Sequence, residues 1–218
     1  MTRLRFVVVT PAPAGSRSGN RVTAQRWARR LRELGHRARV LTEWRGEACD
    51  VLVALHARKS ARSALRFRRM HPAKPLIVAL GGTDLYPALS PLALTTCEAA
   101  DRLIVLHSRA VRDLPRAMRP KARVIVQSAE PPVSRRPRAP DGDLLACVLA
   151  HLRPVKDPFL PERATRLLPA SSRVRVVHAG RAMDAAQARR AVRATERNPR
   201  WQWLGELPRG RALALLDR

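Results

Sequence analysis

The densest group of chemically capable residues in this 218-residue chain is His151-Leu152-Arg153-Pro154-Val155-Lys156-Asp157-Pro158. It follows the apolar run Leu144-Leu145-Ala146-Cys147-Val148-Leu149-Ala150, which has the pattern of a buried parallel strand. Pro158 suits the first turn of a following helix. His151, Arg153 and Lys156 are therefore expected at the carboxyl end of a strand, beside a helix N-terminus. Open α/β sheets bind phosphorylated ligands at that place. A plain basic strand-end loop has the same spacing, and both readings stand at this level.

Other strand ends carry further candidates. In Gly15-Ser16-Arg17-Ser18-Gly19-Asn20-Arg21, small residues let backbone N–H groups approach an anion, and Arg17 or Arg21 adds charge. The same loop could simply connect two elements, with Asn20 capping the helix. It is neither a Gly-Lys-Ser/Thr phosphate loop nor a GxGxxG turn. His56 ends an apolar run, as a general base, a positioning donor or a buried hydrogen-bonding residue. Gly81-Gly82-Thr83-Asp84-Leu85-Tyr86 permits close backbone approach to a ligand, with Asp84 orienting a hydroxyl or capping the next helix. His107-Ser108 and Gln127-Ser128 read as ligand contacts or caps, and Glu206 as an exposed loop carboxylate. No Ser–His–Asp order, carboxylate pair or metal-ligand spacing stands out.

Alternating strands and helices must position these loops. Strands are predicted at 5–10, 38–42, 50–56, 75–80, 102–106 and 123–126. Helices are predicted at 21–34, 60–70, 91–100 and 108–118. Gly35 stops the first helix, whose Ala24, Trp27, Ala28, Leu31 and Leu34 share one face. The alternation restarts with strands at 144–150, 174–177 and 201–204 and helices at 158–168, 183–195 and 209–217. The proline-rich stretch 129–142 between the two sets has linker composition. The expected division is a first domain at 1–130, a linker at 131–142 and a second domain at 143–218. Each domain is a parallel α/β sheet. Three strands leave the second sheet without neighbours, so the chain reads as the front portion of a longer protein.

Composition narrows the partners. Hydrophobic residues make up 45% of the chain, enough for a core. No apolar run approaches the ~20 residues of a membrane helix, and the apolar segment after Met1 is too short for a signal peptide. The three cysteines, Cys49, Cys97 and Cys147, are far apart and sit in apolar or helical contexts, so free buried thiols in a reducing cytoplasm are expected. A net charge of +26 suits anionic ligands. Only four of the 43 basic residues are lysine, and the arginines are spread along the whole chain. With one Tyr and three Phe there is little to stack on bases, so nucleic acid is not the expected primary partner.

The strand-end motifs resemble those of GT-B glycosyltransferases of the family 4-like group. Two Rossmann-like parallel-sheet domains face a cleft there, and a Gly-Arg-Leu-x-x-x-Lys-Gly element contacts the donor diphosphate. Ala150-His151-Leu152-Arg153-Pro154-Val155-Lys156-Asp157 matches that element at Leu152 and Lys156, with His151 in place of the arginine. Gly81-Gly82-Thr83-Asp84 corresponds to the family's His-Gly-x-Asp, with glycine in place of histidine.

A narrower resemblance, over nearly the whole chain, is to the selenosugar synthases of selenoneine biosynthesis. It rests on Ser16–Ala24, Leu31–His36, Leu52–Arg58, Gly82–Tyr86 and His151–Pro158. It implies transfer of a sugar from a UDP-sugar such as UDP-N-acetylglucosamine onto selenophosphate, giving a 1-selenosugar. Lys156 and Arg153, with His151 beside them, would face the departing diphosphate. The loop Gly15, Ser16, Arg17, Ser18, Gly19, Asn20, together with Arg58, Gly82 and Thr83, would hold the acceptor anion. His56 and Asp84 are the catalytic candidates, His56 as a positioning group because selenium needs little help from a base. Without an Asp-x-Asp motif no metal and no cofactor is expected, the UDP-sugar being a co-substrate. The family's carboxylate for the donor ribose falls beyond Arg218. A hydroxyl acceptor, or an arginine-rich polyanion-binding module, are the alternatives.

Overall fold

The computed structural model describes residues 2–16, 18–128, 142 and 144–217. The chain divides after Ser128 into two compact units. Most of the expected linker, and Arg17, lie outside the described residues.

The first unit is a parallel sheet of β1 (Arg5–Val9), β2 (Arg37–Leu41), β3 (Val51–Leu55), β4 (Leu76–Ala79), β5 (Arg102–Val105) and β6 (Ala122–Val124), in the order β2-β1-β3-β4-β5-β6. Successive side chains of a strand point to opposite faces, and that alternation builds two cores. Val7, Val9, Leu52, Ala54, Val78 and Leu103 pack with Trp44, Phe67 and Cys97 on one face. Val8, Val51, Val53, Leu55 and Ile104 pack with Ala24 and Ala28 on the other. Every residue of β3 is buried, as a central parallel strand requires. Each such Val or Leu contributes about 1.5–3 kcal/mol of apolar burial.

Helix α1 (Gly19–Glu33) begins two residues earlier than Asn20-capping requires. Ser18 is the cap, its hydroxyl accepting from the Arg21 N–H at 3.4 Å, and Asn20 lies inside the first turn. Gly35, at φ +86°, follows the helix as expected. Helices α2 (Ala61–Met70), α3 (Gly82–Leu85) and α4 (Pro91–Ala99) follow β3 and β4. The helix expected at 108–118 is two pieces, α5 (Ser108–Asp113) and a 3₁₀ helix (Arg116–Lys121). Pro115 disfavours helical backbone at Leu114, which is extended at ψ 150°.

The second unit carries β7 (Leu144–Leu149), β8 (Val174–Ala179) and β9 (Trp201–Trp203), all parallel in that order. Helices α6 (Leu160–Arg166), α7 (Ala185–Arg197) and α8 (Arg209–Ala214) accompany them. Leu152, Phe159, Val176, Ala191, Ala194 and Trp201 form its core. Several expected boundaries move. Strand β8 runs on to include His178 and Ala179, and α7 starts after Asp184, whose carboxylate accepts from the Gln187 N–H at 2.8 Å. Among the described residues no helix is long and apolar enough to cross a membrane.

Candidate functional site

In the first unit β1 pairs with β2 on one side and with β3 on the other, so the chain reverses its direction of winding between β1 and β3. Such a switch point opens a crevice beyond the carboxyl ends of the strands. The loop after β1 borders it on one side and His56 on the other.

His56 leaves β3 at φ +73°, in the left-handed region that few non-glycine residues occupy. Its own N–H is tied to the Ala79 carbonyl and its carbonyl to the Ser60 N–H, at 2.8 and 2.9 Å. These bonds offset the conformational cost and turn the imidazole towards the loop after β4. There His56 Nδ1 lies 2.6 Å from Asp84 Oδ1, with both side chains essentially sealed from water. Asp84 also accepts from the Arg58 N–H at 3.2 Å and from the Gly81 N–H at 3.0 Å. A carboxylate only accepts, so His56 Nδ1 carries a proton, and in the neutral imidazole Nε2 is then the acceptor. The Lys59 N–H approaches the same Nδ1 at 3.5 Å, too far to compete. On the other side of the ring, Nε2 lies 3.3 Å from Thr83 Oγ1. Asp84, His56 and the exposed Thr83 therefore form one hydrogen-bonded line from the core to the surface.

A pocket of about 180 Å³ opens beside this line, bordered by Arg58, Thr83, Asp84, Tyr86, Ser90 and Ala93. Among the described residues no carboxylate pairs with the exposed Arg58 side chain. The Tyr86 hydroxyl donates to Asp113 at 2.5 Å, and that bond raises its pKa. Burial, with Asp84 nearby, pushes the Cys97 thiol up to about 12, so it stays protonated and inert.

The loop after β1 is less involved. Gly15 adopts φ +79°, the Ser16 hydroxyl accepts from the Ser18 N–H at 3.1 Å, and Gly19 and Asn20 belong to α1. These residues do not border the pocket. Nε of Arg21 is enclosed without a hydrogen-bond partner among the described residues. His107 acts as a cap, its Nδ1 accepting from the Ala110 N–H at 3.1 Å.

In the second unit the chain after β7 runs beside the chain after β8. The Leu152 N–H donates to the Arg181 carbonyl at 2.9 Å, and His151 Nδ1 accepts from the Arg181 N–H at 3.1 Å. The backbones approach so closely that a Cβ on Gly180 would lie 1.8 Å from the Ala150 carbonyl oxygen. Buried Leu152 anchors the segment. A 3₁₀ turn (Pro154–Lys156) then leaves Arg153 and Lys156 facing solvent. Neither has a carboxylate partner among the described residues. The helix expected from Pro158 starts only at Leu160, because Asp157 turns the chain at φ +40°. The Asp157 carboxyl is lowered chiefly by its hydrogen bond from Arg163, at 2.7 Å. Lys156 and Arg153 therefore precede α6 by a full turn of irregular backbone, and its N-terminus does not assist them directly.

The sequence reading passed over Gly180 and His178. Buried His178 holds the Ala150 carbonyl at 2.8 Å through Nε2, and burial lowers its pKa, outweighing the opposite effect of the Ala150 and Pro158 carbonyls. The pairing of His56 with Asp84 had no sequence signal, since the two close strands β3 and β4 separately.

No protein-family model matches the chain, and no curated protein matches it. Solved structures do. A Listeria monocytogenes protein assigned as a UDP-N-acetylglucosamine 2-epimerase superposes at a TM-score of 0.57 and 11% identity, over 99% of this chain and 72% of that one. The UDP-GlcNAc 2-epimerase of Methanocaldococcus jannaschii gives 0.51 and 10%, over 98% and 76%. A variant of the Thermobaculum terrenum O-GlcNAc transferase gives 0.53 and 19%, over 99% and 47%. At these identities the likeness is one of fold: two Rossmann-like parallel-sheet domains of the GT-B type.

Proposed function

We propose that this protein is a glycosyltransferase that uses a UDP-sugar, and that its acceptor is selenophosphate. The observation that carries the reading is the pair of solvent-facing cations, Arg153 and Lys156, on the turn after β7. In a GT-B fold that turn suits a donor diphosphate, and cations there stabilise the charge that grows as UDP leaves. Structural relatives carry names that refer to UDP-GlcNAc or to GlcNAc transfer, which supports a nucleotide-sugar donor. The selenium acceptor is supported by the sequence resemblance, above all Leu52–Arg58 and Gly82–Tyr86. In the proposed reaction selenium attacks the anomeric carbon, the carbon–selenium bond forms, the bond to the UDP oxygen breaks, and phosphate is then lost from selenium.

The test measures UDP release by the full-length protein supplied with UDP-N-acetylglucosamine and selenophosphate. Turnover is expected, with Lys156→Ala reducing kcat/KM by about tenfold or more, the loss of one charge-assisted contact. Turnover with a hydroxyl acceptor but never with selenophosphate overturns the selenium assignment. Duplex binding without any response to UDP overturns the transferase reading.

A further inference from the structure

The proposed reaction leaves one step without an agent: removal of the phosphoryl group from selenium once the carbon–selenium bond has formed. We infer that Thr83, His56 and Asp84 form a proton relay that activates water for that step, with Arg58 holding the phosphoryl oxygens. The inference rests on the selenophosphate reading above and deepens it by naming the groups of the first unit that carry out the loss of phosphate.

Burial decides which group meets the substrate. The His56 side chain is only 3% exposed and, unlike Asp84, does not border the pocket. Thr83 is exposed, borders the pocket and reaches His56 Nε2 at 3.3 Å. The Thr83 hydroxyl therefore connects the pocket to the imidazole. Asp84 fixes the tautomer that leaves Nε2 free to accept it, from 2.6 Å away on the opposite side of the ring. At about 180 Å³ the pocket has room for a phosphoryl group. Arg58, free of a carboxylate partner among the described residues, supplies charge for an oxyanion at its edge.

The step balances. Water passes a proton to Thr83 Oγ as the Thr83 hydroxyl proton moves to His56 Nε2, giving an imidazolium beside the Asp84 carboxylate. The water oxygen bonds to phosphorus, the phosphorus–selenium bond breaks, and its electron pair leaves on selenium. The imidazolium proton returns through Thr83 to the selenolate. Selenosugar phosphate and water thus become the selenol and hydrogen phosphate, with His56 and Thr83 restored.

Two products allow the two halves to be separated. UDP reports the transfer and inorganic phosphate reports the hydrolysis. With UDP-N-acetylglucosamine and selenophosphate, the full-length protein is expected to release both in equal amounts. Thr83→Val keeps the shape and removes the hydroxyl at an exposed position. It is expected to slow phosphate release relative to UDP release by about 10²-fold, in the range of one acid–base contribution, with a phosphorylated selenosugar accumulating. Thr83→Ser is expected to restore the parent ratio. Equal release of UDP and phosphate in Thr83→Val overturns the relay while leaving the transferase reading intact. Absence of UDP release from the parent protein with selenophosphate overturns the reading on which the relay rests, and the relay with it.

Discussion

At the residue scale, the organising group of the first unit is Asp84. It receives three donors from three places, the Gly81 N–H, the Arg58 N–H and His56 Nδ1. The strand ends after β3 and β4 are thereby fixed to one another through a single carboxylate. A second carboxylate does a similar service at the opposite ends of the strands, where Asp50, just before β3, accepts from the Arg5 backbone N–H and from its guanidinium, each at 2.8 Å. The side-chain bond from Arg5, followed by its backbone N–H, lowers the Asp50 pKa from 3.8 to about 2. A folded-state value below the unfolded one means stability that is present above pH 3.8 and lost as pH falls towards 2. Comparison of Asp50→Asn with the parent by urea unfolding is therefore expected to show a stability gap that is constant from neutrality to about pH 4 and closes between there and about pH 2. A gap that persists unchanged into that acid range would show that the pairing contributes nothing.

At the element scale, the alternation of strands and helices was legible because it is written in periodicity: residues 51–55 are apolar without a break, and α1 places Ala24 and Ala28 on one buried face. Boundaries were less legible where local chemistry competes. Pro115 shortened a helix, Asp157 delayed another, and Ser18 took the cap from Asn20. His56 and Asp84 were each visible as strand-end residues, whereas their contact depends on the adjacency of β3 and β4, a long-range pairing that no local pattern encodes. Gly180 is the same kind of residue. It reads as a turn glycine, yet its role is to let the chain after β8 pass against the carbonyl of Ala150. Gly180→Ala must push backbone against backbone, and a cost of at least about 3 kcal/mol is expected for the second unit. Hydrogen exchange gives the readout: amides of β7–β9 should lose protection while those of β3–β5 keep theirs. Retained protection in β7–β9 would mean that the approach is looser than described.

At the scale of the whole molecule, the charge of +26 must be reconciled with a proposed site that needs only a few cations. Long-range charge raises the local concentration of any polyanion but chooses poorly among them. On the proposed function, selection belongs to geometry, such as the turn bearing Arg153 and Lys156 and the pocket beside Arg58. The two contributions respond differently to salt. Duplex DNA held by six or more phosphate contacts is expected to lose about 10³-fold in affinity between about 50 and 200 mM salt. UDP, with two phosphates, has far fewer counterions to exchange and its affinity should fall by about tenfold at most over the same range. Titration of both ligands across that salt series checks the division. If DNA binding keeps its strength at the higher salt while UDP binding disappears, the arginines form a dedicated nucleic-acid surface, and the charge is then the protein's principal recognition device.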